Sequence, residues 1–388
     1  MKLLSRLLSI LLGEAGQIPS TESVSYDAVL STTLRSYRKK LADNITKGNQ
    51  TLSWLRSKGR FSKQSGGYNV HIPLMHAQNS TADIYSGYGL IDTTPQDGIT
   101  AAFFDWSQLA VSITISNLEK KQNKGEAKII DLLKSKTMQA EVSLQQLLNN
   151  CFVAGRITTS SGSDVILRRI GRLDSGALAP LPLGALIDYT PSRSVSIGNI
   201  NGGTYSFWRN QQTASAATTF IGLRSDLNFT YNKCTKGVGG SPDLLLSDQV
   251  LWETYWLSMS QNERYLVEDK RTLDVLGGSD VLKFRGAALV WDEVMPDPVT
   301  PYNPVDAVGT AGLQNGGSSS AGKSAVYFIN SQAMEYVVES DTDFDTTDFV
   351  RPENQDAVTA QILWMGAVCL NNRRKLGVLG NVAQNIAA

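Results

Sequence analysis

Small and apolar side chains recur every three or four positions at Ile130, Leu133, Thr137, Ala140, Leu144, Leu147, Leu148 and Cys151, with Lys, Glu, Gln and Asn between them. That spacing puts them on one face of an α-helix. No proline interrupts the run between Gly125 and Gly155, which bracket it as stop signals. A helix over the whole stretch would be roughly 40 Å long, well beyond the average helix of about 11 to 12 residues. A rod with one narrow apolar face must lie along something. Immediately before it, residues 101–116 (AAFFDWSQLAVSITIS) are aromatic and β-branched, with Val111, Ile113 and Ile115 alternating as in a strand. The pattern predicts a long helix backed by a sheet.

Other segments follow the same two periods. Residues 26–41 carry Val29, Leu30, Leu34, Tyr37 and Leu41 on one helical face, and residues 51–55 add Leu52, Trp54 and Leu55. This region is too thin to bury a core of its own and is expected to lie on other subunits. Residues 66–105 predict a long hairpin: strands at 68–75 and 85–91, a turn at Pro95, Asp97 and Gly98, and a return at 99–104. Its aromatics, Tyr85, Tyr88, Phe103 and Phe104, exceed what a solvated loop needs, and an exposed edge requires cover. A neighbouring subunit would supply it. Residues 157–211 hold short β segments (ILRRIGRL, GALIDYT, SVSIGNI) and then GGTYSFWRNQ. Residues 214–232 predict a helix through Phe220, Leu223, Leu227 and Tyr231. A strand at 242–246, a helix from Asp248 as N-cap and a strand at 284–291 complete a second α/β region. Near the C-terminus, 362–370 is a buried strand that can complete the first region, followed by a basic pair at Arg373 and Arg374.

Charge and composition narrow the function. The 388 residues include 36 Lys plus Arg against 36 Asp plus Glu, and 41% are hydrophobic. Such a chain folds around a sizeable core, and its bulk charge favours neither nucleic acid nor a strongly acidic partner. Basic residues cluster locally at Arg35, Arg38, Lys39, Lys40, Arg56, Lys58, Arg60 and Lys63. The cluster reads as a solvated face, or as a contact with a polyanion or an acidic neighbour. Cys151, Cys234 and Cys369 lie far apart without metal-type spacing and read as buried small apolar residues in a reducing compartment. His71 and His76 are the two histidines available to any imidazole chemistry. Residues 1–13 (MKLLSRLLSILLG) have the charged start and apolar run of a secretory signal, but Arg6 breaks the run and no small-residue cleavage site follows. An amphipathic docking helix is the expectation, with no membrane partner.

Two motifs suggest chemistry and neither has the right context. Residues 317–324 (GSSSAGKS) satisfy the phosphate-loop pattern, which works between a buried strand and a helix N-terminus. Here a polar Pro, Gly and Ser loop (297–322) precedes it and a strand-like AVYFIN (325–330) follows. Residues 341–348 (DTDFDTTD) imitate a calcium loop, but its sixth and twelfth places hold Thr346 and Pro352 rather than Gly and Glu. An acidic exposed turn is expected. No catalytic, cofactor-binding or metal-ligating residues are assigned, and no enzyme activity or cofactor is expected.

The order of several segments is what identifies a family. YDAVLSTTLRSYRKKLADNI, HIPLMHAQNST, YSGYGLIDTTPQDGITAAFFDW, NKGEAKIIDLLKSKTMQAEVSLQQLLN, GGTYSFWRNQ, SPDLLLSDQVLWE and CLNNRRKLGVL, taken in sequence from Tyr26 onward, resemble a tailed-bacteriophage major capsid protein of HK97-like fold. The resemblance implies an α+β chain with an N-terminal arm (1–65), an extended β-hairpin loop (66–103), a peripheral domain with a long spine helix on a β-sheet (104–213 and 341–388) and an axial α/β domain (214–340). It implies self-assembly as hexamers and pentamers into an icosahedral virion shell around double-stranded DNA, built in the host bacterial cytoplasm. Further implied partners are a portal protein and a scaffolding or decoration protein. The chain lacks the long charged extension of subunits with a fused scaffold, so a separate scaffold, or none, is expected. Near-zero net charge limits repulsion among many copies, and Lys120, Lys121 and Lys124 are expected to pair with neighbours or face packaged DNA. An encapsulin-like compartment shell, and a phosphate-loop NTPase acting through Lys323, stand as alternatives.

Overall fold

Two long stretches near the C-terminus, both free of proline, one apolar in its first half (MEYVV) and the other along most of its length (AVTAQILWMGAVCL), pair with one another and organise one half of the chain. The computed structural model describes residues 50–122, 132–154, 156–158, 164–166, 178–192, 194–259, 282–292, 294–295, 323–353, 355–383 and 386. In chain order, helix α1 (Gln50–Ser57) precedes strands β1 (Phe61–Gln64), β2 (Asn69–Met75), β3 (Ile99–Asp105) and β4 (Ser107–Ser116). Helix α2 (Asn117–Gln122) follows, then α3 (Leu132–Asn149), closed by one wider π turn, Asn150–Ala154. Next come the small hairpin β5 (Arg156–Thr158) and β6 (Asp164–Ile166), the single turn α4 (Leu183–Leu186), and the short pair β7 (Ser196–Ile197) and β8 (Ile200–Asn201). Then follow β9 (Gln211–Ala214), α5 (Phe220–Thr235), β10 (Leu244–Ser247), α6 (Gln249–Met259), β11 (Leu282–Phe284) and β12 (Ala287–Trp291). The last strands are β13 (Lys323–Ile329), β14 (Met334–Thr346), β15 (Ala357–Leu370) and β16 (Gly377–Ala383).

The first sheet has the order β1-β14-β15-β4. β15 is central, antiparallel to β14 and to β4, with Ala357 opposite Ser116 and Gly366 opposite Ser107. The C-terminal part of the chain thus completes a sheet begun near residue 107, as the sequence predicts. β4 buries Leu109, Ile113 and Ile115 on alternate positions, and α3 lies along it. Ala140, Leu144 and Leu148 on the expected helical face are buried and Leu147 is half-buried against them. Lys136 fixes the start of the helix to the sheet, donating to the Thr114 carbonyl at 3.2 Å and to Glu119 at 2.7 Å. The predicted part of this helix from 125 to 131 lies outside the described residues, as do the helix at 26–41 and the docking segment at 1–13.

Several elements differ from the pattern reading. The stretch 101–116 is two strands, because Trp106 turns the chain between β3 and β4 and its indole donates to the Gly67 carbonyl at 2.9 Å. Residues 284–291 are two strands joined at Arg285 and Gly286, both at positive φ (49° and 90°), the geometry of a tight type I′ hairpin. GALIDYT contributes the helical turn α4 rather than a strand, and the helix predicted over 214–232 begins only at Phe220, Ala214 ending strand β9. The α1 region does bury core of its own: Trp54 and Leu55 are fully buried among the first sheet's residues, so it is not a segment resting solely on other subunits. Arg56 and Lys63 from the basic run both reach Asp343, at 3.2 and 3.5 Å.

The second sheet, β11-β12-β10-β13-β16-β9, is mixed and buried on both faces. Leu244 and Leu246 of β10 join the core shared with the first sheet, whereas Leu245 faces α5 and α6 with Leu289, Val326 and Phe328. A strand covered on both sides needs no polar alternation, which is why LLLS reads as a plain apolar run. The two sheets connect through two short crossovers, β13 to β14 and β15 to β16, which touch where Asn371 donates to Gln332 at 2.8 Å. At the second crossover Lys375 is 2% exposed and its ammonium donates to the carbonyls of Thr235, Lys236, Gly237 and Gly240, at 2.9 to 3.2 Å. Those are the carbonyls left open where α5 ends. Removing that ammonium in Lys375→Met leaves buried acceptors without a donor and is expected to cost about 2 to 3 kcal/mol of subunit stability in urea unfolding.

Asp248 immediately precedes α6, and its carboxylate, buried at 4% exposure, accepts from Ser324 Oγ at 2.8 Å. Burial pushes this carboxyl up to about 6, against the opposing pull of the Ser324 hydroxyl and nearby backbone N–H groups. A carboxyl raised on folding contributes stability that is complete below its unfolded value of about 4 and is lost as pH climbs through the folded value. Urea midpoints measured from pH 4 to 7 should therefore fall for the wild type and fall less steeply for Asp248→Asn, with Asp243, raised chiefly by burial too, leaving a residual slope of the same sign.

Candidate assembly surfaces

The hairpin β2–β3 is held at its base and free at its tip. Its seven pairs run from Asn69–Asp105 to Met75–Ile99. Val70, Leu74, Ala102 and Phe104 are buried, and the Phe103 N–H donates to the Gly198 carbonyl at 3.0 Å. Gly198 stands at φ 61° in the β7–β8 turn, where a Cβ would meet Ala102 and Phe104 at 3.0 and 3.1 Å, so this seat requires glycine. The GGTYSFWRNQ segment forms the wall behind it. Trp208 is buried and donates to the Ile197 carbonyl at 2.8 Å, and Arg209 clamps the Gly202 and Gly203 carbonyls at 2.6 and 2.7 Å.

Beyond His76 the loop is open among the described residues. Every residue from 77 to 97 except Thr81 is exposed. The predicted strand at 85–91 is absent: β2 pairs with 99–105, and the intervening segment carries turns around Asn79, Ser86 and Asp92 instead. A strand needs a face to bury, and Ile84, Tyr88 and Leu90 stand at 97%, 105% and 101% exposure. Ser80 donates to Gln96 across the neck at 2.8 Å. So many exposed apolar side chains in one projection mark a surface that meets another molecule.

Three further surfaces have distinct chemistry. On α2, Leu118 is 63% exposed beside the exposed Lys120 and Lys121. The far half of β14 and the turn to β15 present Asp341, Asp345 and Asp348 with Phe349 and Val350. Residues 341–346 are strand, broken by register shifts at Asp343 and Asp345, rather than the exposed turn expected there. On the helices over the second sheet, Ile221, Phe229 and Leu257 are exposed.

Candidate chemistry does not converge. Gly317–Gly322 of the phosphate-loop pattern lie outside the described residues. Ser324, its hydroxyl position, is buried in β13 and bonded to Asp248, so that hydroxyl is committed to the fold. A strand follows the motif, as the sequence predicts, where a phosphate site needs a helix N-terminus. All three cysteines are buried, and burial pushes the Cys151 and Cys234 thiols up to about 12. His71 packs edge-on against Phe103, and His76 sits at the loop neck against Phe207. Among the described residues no group of His, Cys, Asp and Glu could hold a metal ion, and no helix is long and apolar enough to cross a membrane. The residues that sequence reasoning missed are Arg373 and Lys375. The pattern marks only a basic pair at Arg373 and Arg374, yet Arg373 is buried and donates to the Leu186 and Ala185 carbonyls at 2.8 and 3.0 Å.

No protein-family model matches the chain, and no curated protein does. Solved structures do. The chain is similar to a chain of the Cyanophage A-1(L) capsid asymmetric unit, at 12% identity and TM-score 0.60 over 94% of this chain and 99% of that one. It is similar to a chain of the encapsulin complex from Synechococcus elongatus at 11% identity and TM-score 0.51, over 92% and 95%. A chain of Gordonia phage Cozz matches at 12% identity and TM-score 0.50, over 95% and 97%. The chain has the HK97-like fold, α+β.

Proposed function

We propose that this chain is the major capsid protein of a tailed bacteriophage, a coat subunit that assembles as hexamers and pentamers into an icosahedral shell around double-stranded DNA. The reading rests on one observation above others: a chain whose likeness to a cyanophage capsid chain spans nearly the whole of both also has a loop that none of the described residues covers. Shell subunits need many modest contacts that can reverse errors, and extended arms provide contact area without enlarging the core. In this reading the hairpin and its loop lie over an adjacent copy, the first sheet with α3 forms the peripheral domain, and α5, α6 and the second sheet approach the symmetry axes with Ile221, Phe229 and Leu257. The role is structural and requires no reaction. Other copies of the chain, the packaged DNA, a portal protein and a scaffolding or decoration protein are its partners, and the virion, assembled in the bacterial cytoplasm, is its place.

A second reading, an encapsulin-like compartment shell, draws on the likeness to the Synechococcus elongatus chain. The two differ in contents, DNA against a protein cargo.

Electron microscopy and size-exclusion chromatography of the protein expressed alone and with the products of neighbouring genes test both. Closed shells or rings of five and six are expected. A monomer under every condition would overturn the shell, and particles holding protein cargo in place of DNA would favour the compartment.

The loop should also report its environment. In dissociated subunits, limited proteolysis is expected to cut within residues 77–97, and in assembled particles that cut should slow by at least tenfold or so, because cleavage requires the backbone to be open. Replacing Tyr88 and Leu90 together by serine should leave the subunit's urea midpoint within about 0.5 kcal/mol of wild type, as for exposed positions generally, while weakening assembly.

A further inference from the structure

Four strands stand at the edges of the two main sheets: β1 and β4 in the first, β9 and β11 in the second. An edge strand presents unpaired backbone N–H and C=O groups, and folds blunt it by keeping it short, charged, bulged or interrupted by proline. β1, β9 and β11 are 4, 4 and 3 residues long, and β1 and β11 carry Lys63 and Lys283. β4 is 10 residues long, SQLAVSITIS, with no charge and no proline, and its pairing with β15 runs without a register shift.

The phase of the ladder decides which groups stay open. Just past the last pair, the Asn117 N–H donates to the Asp356 carbonyl at 3.1 Å, which in an antiparallel ladder makes the odd-numbered residues of β4 the ones bonded to β15. The even-numbered ones point outward. One end of that outward row is closed by the chain itself: Lys136 of α3 donates to the Thr114 carbonyl at 3.2 Å, and Glu119 of α2 accepts from the Ser116 N–H at 3.4 Å. At Gln108, Ala110 and Ser112 the outward N–H and C=O groups meet no partner among the described residues, and all three residues are exposed.

The flanks of this row select what completes it. α3 packs along β4, and Lys136, Gln139, Ser143 and Leu147, at spacings of three and four, share the helix face that overlooks the edge. Gln139 and Ser143 are exposed there. Two identical edges pair antiparallel with their strands about 4.8 Å apart, which would press two α3 helices closer than the roughly 8 to 10 Å at which helices pack. A second β4 therefore does not fit. The loop 77–97, turned at Asn79, Ser86 and Asp92, offers no extended run of five residues between its turns. A single extended strand fits, and at the Thr114 end it meets Lys120 and Lys121, both exposed on α2.

We propose that the open half of β4, residues 108–112, is a docking edge for an extended segment of a separate protein, uncharged over its paired residues and acidic just before them. The segment runs antiparallel to β4, so its N-terminal end lies at Thr114 and its acidic residues face Lys120 and Lys121. Main-chain hydrogen bonds supply the affinity, and alternate side chains against Gln139 and Ser143 supply a preference for small residues. The edge is complete in one subunit, so the inference stands apart from the shell reading.

A fluorescein-labelled peptide, DDTVTVT, tests it on the full-length protein. Fluorescence anisotropy should show saturable binding with Kd on the order of 100 μM, the scale of a few backbone hydrogen bonds, and KKTVTVT should bind about tenfold more weakly. Ser112→Pro removes one outward N–H and no bond to β15, so it should weaken DDTVTVT by about tenfold while the urea midpoint stays near wild type. Lys120→Glu/Lys121→Glu, at two exposed residues, should reverse the preference between the two peptides. No saturable binding of DDTVTVT, or binding unchanged in both variants, would overturn the docking edge. Binding to dissociated subunits that disappears in assembled particles would overturn the separate protein in favour of another copy as the occupant.

Discussion

Two buried cations at a strand crossover carry the architecture. β15 belongs to one sheet and β16 to the other, and the residues between them turn the chain through the interior. Such a passage strands backbone carbonyls away from water, and each unmet one is costly. Arg373 satisfies those at the end of α4 and Lys375 those at the end of α5. Both halves of the molecule are thereby referred to one point, and the parallel crossover from β13 to β14 packs against it.

From that fixed centre the remaining structure reaches outward. The hairpin base is seated by Gly198 and walled by Trp208, so the direction of its projection is determined by buried contacts. Its tip carries apolar side chains that none of the described residues covers.

Where periodicity reflects burial by nearby residues, the sequence was legible. The face of α3 through Ala140, Leu144 and Leu148, the alternation in β4 and the buried run in β10 all lie where their patterns predict, because each element contacts the core along its own length. Boundaries failed where one residue decided them. Trp106 splits 101–116 by a hydrogen bond to Gly67, distant in sequence, and Arg285 with Gly286 splits 284–291 by adopting positive φ. The strand expected at 85–91 failed for a different reason: its aromatics have no facing surface among the described residues.

Taken alone, the sequence determined the α+β class, the helix on its sheet, the absence of context for the phosphate-loop pattern, and the order of segments that resembles a capsid subunit. These follow from local period and from composition, which act over a few residues at a time. Tertiary structure alone decided that Arg373 and Lys375 are internal, that Ser324 is bound to Asp248, and that the loop between β2 and β3 is exposed while its base is buried. Each of those depends on groups tens to hundreds of residues apart in the chain, and the desolvation that makes a buried charge or carbonyl demand a partner arises only once the sheets have closed around it.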